Sequence, residues 1–149
     1  MIKIITKTPQ ELEYLGSRMA ELMEPGDFIA LDGDLGSGKT LMTQGMAKGL
    51  GVNEEIVSPT FTIIHEYETG RLPLYHMDVY RLDGNAEGIG IEEYFNKGGI
   101  VIIEWADSIK DFLPKERLII KFKVVDENKR ILIITPFGKQ YEELCEAVL

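Results

Sequence analysis

A chain of 149 residues with 25 acidic and 16 basic side chains carries a net charge of −9, and its 44% hydrophobic content is ordinary for one globular domain. Such a length supports a core without metal or disulfide help, and Cys145, the only cysteine, excludes an intrachain disulfide and fits a reducing, cytoplasmic setting. No apolar run reaches the ~20 residues that cross a bilayer, the first residues turn polar too soon for a signal peptide, and singly scattered cations argue against unaided binding of nucleic acid.

Ile2 to Ile5 predicts a short strand. Thr8-Pro9-Gln10-Glu11 offers a capping box with proline at the first helical position. Leu12, Leu15, Met19 and Leu22 follow at helical spacing, and Pro25-Gly26 predicts the helix end. Phe28 to Leu31 reads as a buried strand. A glycine-rich loop follows, then Met42, Met46 and Leu50 mark the apolar stripe of a second helix. Phe61 to Tyr67 and Leu72 to Val79 predict a hairpin around Glu68-Thr69-Gly70-Arg71. Ile91 to Phe95 fits one helical turn, and Ile100 to Ile103 a second strand buried on both faces. Leu118 to Val125 and Ile131 to Thr135, joined through Asp126 to Lys129, form a closing hairpin, and Tyr141 to Leu149 a last short helix. With no repeat, low-complexity tract or linker, residues 1–149 read as a single domain. The expected fold is α/β, a three-layer sandwich of the P-loop NTPase kind with a mixed parallel and antiparallel sheet.

The loop Gly33-Asp34-Leu35-Gly36-Ser37-Gly38-Lys39-Thr40 fits G-x-x-x-x-G-K-[ST]. Its glycines let successive backbone N–H groups turn inward on phosphate oxygens. Lys39 supplies a cation for the outer phosphates, and the Thr40 hydroxyl can ligate magnesium. The following helix adds the positive end of its dipole. A buried strand before and an amphipathic helix after complete the context, so a mere strand-to-helix turn is a poor alternative. The expected nucleotide contacts are Asp34, Gly36, Ser37, Gly38, Lys39, Thr40 and Leu41, with magnesium beside the phosphates.

Phosphoryl transfer also needs acids near the metal and a group to position the nucleophile. Asp78 and Glu104 each close an apolar strand, and in open α/β sheets ligands collect beyond the carboxyl ends of strands. Either alone reads as a solvated acid at an exposed strand end; two together with a phosphate loop point to metal and water. Ser58-Pro59-Thr60-Phe61-Thr62 is either a proline turn or a switch-like segment whose hydroxyls reach the γ-phosphate. Trp105 follows Glu104 and on general grounds reads as core. His65 and His76 lack metal-ligand partners at useful spacing and read as structural or exposed. Pro136-Phe137-Gly138-Lys139 is a weak candidate for contacting adenine.

In order along the chain, the loop Gly33 to Thr40, Ser58-Pro59-Thr60-Phe61, His76-Met77-Asp78-Val79-Tyr80-Arg81 and Ile103-Glu104-Trp105 together resemble the TsaE family (formerly YjeE), bacterial ATPases of tRNA threonylcarbamoyl-adenosine synthesis. Gly90-Ile91-Glu92-Glu93-Tyr94 is similar to a further short piece of that family, whereas Leu82 to Ile89 departs from its leucine-rich form. The resemblance implies ATP and magnesium as cofactors, Lys39, Asp78 and Glu104 as catalytic residues, Thr40, Asp78 and Glu104 around magnesium, and Thr60 and Trp105 beside the nucleotide. It also implies TsaD-like and TsaB-like protein partners and contact with tRNA only through their complex, while the lack of a long apolar run leaves no membrane expected. A small-molecule kinase and a nucleotide-binding scaffold with little turnover are the competing readings. The five arginines, Arg18, Arg71, Arg81, Arg117 and Arg130, show no clustered pair of the sort a kinase lid uses.

Overall fold

The computed structural model describes residues 1–59, 64–79, 91–106 and 111–149. Its elements are β1 (Ile2–Thr6), α1 (Pro9–Glu21), β2 (Phe28–Asp32), α2 (Lys39–Leu50), β3 (Ile64–Tyr67), β4 (Leu74–Asp78), a 3-10 helix (Ile91–Asn96), β5 (Ile100–Glu104), β6 (Arg117–Val124), β7 (Arg130–Phe137) and α3 (Lys139–Val148).

The strands form one seven-stranded sheet in the order β1-β7-β6-β2-β5-β4-β3. Its middle, β6-β2-β5-β4, is parallel. The flanking pairs β6–β7, β7–β1 and β4–β3 are antiparallel. Every residue of β4 and β5 is buried, as strands covered on both faces require.

On one face, Leu12 of α1, Met46 of α2 and Leu144 of α3 close over Leu31, Ile102 and Ile120. On the other, Phe28, Met77 and Ile103 pack against Tyr94 and Phe95 of the 3-10 helix and against Phe112 and Leu113. Phe28 meets Phe95 edge to face with ring centroids 5.0 Å apart. The mixed three-layer α/β sandwich is therefore present, with a thinner second layer among the described residues.

Local chemistry explains the element ends. Thr8 caps α1 by accepting the Glu11 N–H at 3.1 Å, while the Glu11 carboxylate reaches back to the Lys7 N–H at 2.6 Å. The helix stops at Glu21, ahead of the expected Pro25-Gly26. Arg71, from the turn between β3 and β4, takes the carbonyls of Ala20 (2.7 Å) and Met23 (2.8 Å), satisfying the chain where the helix leaves off. The predicted strand from Phe61 is observed from Ile64, its first residues lying outside the described ones. Leu72 precedes β4, which begins at Leu74.

Helices α1 and α2 approach so closely that a Cβ on Gly45 would sit 2.1 Å from the Glu13 carbonyl oxygen. Gly45→Ala should therefore destabilise the protein by about 1–3 kcal/mol, against a helix-propensity gain of about 1 kcal/mol. Chemical denaturation measures this, and an unchanged or raised midpoint would contradict so tight a contact.

Candidate functional site

The phosphate loop spans the gap between central strand β2 and helix α2. Gly38 ends it at φ 111°, a left-handed conformation that favours glycine, and a Cβ there would lie 2.6 Å from Leu12 Cδ2. The Ser37 N–H donates to the Asp34 carbonyl at 3.0 Å, closing the loop's turn. The Met42 N–H and the Thr43 hydroxyl then bond the Gly38 and Lys39 carbonyls, both at 2.9 Å, which secures the first turn of α2.

Lys39 is buried, with 4% of its surface exposed. Its ammonium donates to the Gly33 carbonyl at 2.6 Å and lies 3.7 Å from the centroid of the Trp105 ring. Burial lowers its pKa below the ordinary lysine value, opposed by attraction to Glu104, Asp78, Asp32 and Asp34. Trp105 is half-buried and stands in the pocket wall beside the loop cation. Its φ of 64° is the only positive value for a non-glycine residue among those described. That backbone turn, fixed by the Trp105 N–H on the Leu31 carbonyl at 3.2 Å, carries the indole over Lys39.

Asp78 and Glu104 are register partners at the carboxyl ends of β4 and β5, and Glu104 also pairs with Leu31 of β2. Parallel register places both acids on one face, beside the loop. The expectation of exposed strand ends is corrected here: Asp78 is 8% and Glu104 4% exposed, because the loop, Trp105 and the neighbouring strands close around them. His76, read from spacing as structural or exposed, is fully buried with Nε2 2.6 Å from Glu104 Oε2. Its ring N–H holds that carboxylate in place, a positioning role that only strand register reveals.

One pocket of about 310 Å³ gathers Gly36, Gly38, Lys39, Thr40, Leu41, Asp78, Glu104 and Trp105, with Leu35, Ser58 and Arg130 completing its wall. Asp34 is exposed and Ser37 buried, both within the loop rather than in the pocket wall. Thr60, like Phe61, Thr62, Tyr80 and Arg81, lies outside the described residues. Pro136 to Lys139, the weak candidate for adenine, stand apart from this pocket: β7 runs antiparallel to β6, so Phe137 pairs with Arg117 at the sheet end away from the loop. The same reversal brings Arg130, at the start of β7, to the loop instead.

Among the described residues no group of three or more His, Cys, Asp and Glu could hold a metal alone. Two acids and a threonine hydroxyl around a phosphate loop do fit magnesium, which keeps several waters and is shared with substrate phosphates. No described helix is long and apolar enough to cross a membrane.

Because Lys39 binds its proton less tightly when folded, this side chain holds more of its proton in the unfolded chain in the alkaline range below 10.5, and its contribution to stability should rise with pH there. Melting measured without nucleotide should show a more positive slope against alkaline pH in the parent than in Lys39→Met, since Cys145, Tyr75, Tyr94 and Tyr141, raised by burial, pull the other way in both proteins. Identical pH slopes in the two proteins would mean that the ammonium is not desolvated.

A family profile described as threonylcarbamoyl adenosine biosynthesis protein TsaE matches residues 6–132. The Bacillus subtilis (strain 168) tRNA threonylcarbamoyladenosine biosynthesis protein TsaE is 46% identical over 145 residues, covering 97% of this chain and 92% of its own. The protein of the same name from Nostoc sp. is 40% identical over 149 residues, covering 97% and 91%. The crystal structure of Bacillus subtilis YdiB superimposes with a TM-score of 0.87 at 43% identity, covering 99% of this chain and 93% of that one. With its phosphate loop, paired strand-end acids and indole-covered lysine in one pocket, the chain belongs to the TsaE family.

Proposed function

We propose that this protein is a magnesium-dependent ATP hydrolase of tRNA threonylcarbamoyladenosine biosynthesis, working in the cytoplasm on a transferase assembly of TsaD-like and TsaB-like proteins. Family membership supports the pathway. The observation that carries the ATPase reading is the meeting of the loop lysine with Asp78 and Glu104 in one pocket.

The loop amides and Lys39 bind the phosphates and offset their charge. Thr40, with Asp78 and Glu104, would hold magnesium or its waters. Bound there, magnesium would neutralise charge on the phosphate oxygens as the terminal bond breaks. Glu104, braced by His76, is suited to orient the attacking water, since its carboxylate is already fixed. Trp105 shields the lysine from solvent on one side. With a net charge of −9, the chain is suited to reach tRNA through its partners rather than directly.

Asp78→Asn and Glu104→Gln preserve shape at these buried positions and should each lower magnesium-dependent hydrolysis at least about a hundredfold. Normal hydrolysis in both would remove the acids from the mechanism. Sustained threonylcarbamoyladenosine formation by a reconstituted TsaD-like and TsaB-like pair should require this protein and fail with Lys39→Ala. Modification that proceeds equally without it would overturn the pathway role, while dependence on the protein without measurable hydrolysis would identify a scaffold.

A further inference from the structure

Arg130 opens β7 and reaches the phosphate loop 93 positions earlier in the chain. Its Nε–H donates to the Ser37 carbonyl at 3.0 Å and its Nη2 to the Gly36 carbonyl at 3.4 Å. On its other side Nη1 donates to the carbonyls of Asp126 (2.6 Å) and Lys129 (3.0 Å). One planar guanidinium thus ties the tip of the β6–β7 hairpin to the tip of the loop. The hairpin is a firm anchor, because the Asp126 carboxylate accepts the N–H groups of Asn128 (2.9 Å) and Lys129 (2.8 Å).

The consequence follows from peptide planarity. In a trans peptide the carbonyl and the next N–H point in opposite directions. Drawing the Ser37 carbonyl toward Arg130 therefore turns the Gly38 N–H to the opposite side of the loop. The Ser37 N–H is already committed to the Asp34 carbonyl at 3.0 Å, so the bond to the Gly36 carbonyl braces that turn rather than freeing an amide. Carbonyls facing inward would repel phosphate oxygens, so a donor that collects them outside favours an anion within. The guanidinium suits this task because its fixed fork spans adjacent carbonyls, as a lysine ammonium cannot.

We propose that Arg130 is a positioning residue for phosphate binding, which holds the Gly36 and Ser37 carbonyls outward and keeps the loop amides set for a nucleoside di- or triphosphate. The proposal rests on the ATPase reading and adds to it a cation that acts through the loop backbone.

The test compares the parent with Arg130→Met and Arg130→Lys. In Arg130→Met the dissociation constants for magnesium-ADP and magnesium-ATP should rise together by about tenfold, the value of one charge-assisted hydrogen bond. The loss should fall on KM more than on kcat, and Arg130→Lys should recover little of it. Measured without nucleotide, amide exchange in residues 33–38 should quicken in Arg130→Met while the rest of the chain keeps its protection. Unchanged affinity with unchanged exchange would overturn the proposal. So would full rescue by lysine, a loss confined to ATP, or exchange that quickens across the whole chain, which would mark a merely structural strut. If the parent binds neither nucleotide, the ATPase reading fails and takes this proposal with it, whereas normal binding in the parent with unchanged affinity in Arg130→Met overturns the proposal alone.

Discussion

Placing a lysine at the first position of a helix, with 4% of its surface exposed, is unfavourable twice over. Burial strips the ammonium of water, and the N-terminal end of α2 adds positive potential of its own. The surrounding structure offsets this through the Gly33 carbonyl, the face of Trp105 and four nearby acids. Desolvation still wins, since the lysine holds its proton less tightly than in water. Under the proposed ATPase function, a polyphosphate would satisfy both the ammonium and the helix end at once, so the placement that costs stability would favour binding.

The acids facing that cation are held just as firmly. Breaking a buried pair such as His76–Glu104 leaves an uncompensated charge, which confines the carboxylate to one geometry. Trp105 holds a left-handed backbone conformation that costs roughly 1–2 kcal/mol in a residue with a side chain. Strain of this kind persists where the neighbouring strands over-determine the chain, here through the bonds of Trp105 and Val79 to Leu31 and Glu104. The site is thus built on strand ends and a braced loop, with Ser58 contributed from a connecting segment.

Local features were legible in the sequence, whereas features made by chain reversal were not. Thr8 and Glu11 announce α1, and the loop announces itself through glycine spacing between an apolar strand and an apolar-striped helix. Asp78 and Glu104 were recognisable as strand-end acids because each follows an apolar run. Their burial was not, since it depends on which strands become neighbours. Arg71 satisfies the last carbonyls of α1 from 50 positions away, a partner that the Pro25-Gly26 stop signal could not reveal. Pro136 to Lys139 looked usable for adenine only while the direction of β7 was unknown; its antiparallel course delivers Arg130 to the loop and carries Phe137 away.

The polar set of the site is placed by an apolar pattern on the opposite side of the sheet. Along β4, Tyr75 and Met77 pack into the core beneath the 3-10 helix, where Tyr75 meets Tyr94 with centroids 5.0 Å apart. Alternation then sends Leu74, His76 and Asp78 to the face shared with α2. A slip of one residue would bury His76 and Asp78 among aromatics and turn Tyr75 and Met77 toward the phosphate loop. The same logic holds in β5, where Val101 and Ile103 fill the far core while Ile102 precedes Glu104 on the near one. Two buried carboxylates and a buried imidazole would each resist such a location alone. Hydrophobic packing on one face of the sheet therefore enforces the register that aligns His76, Asp78 and Glu104 on the other.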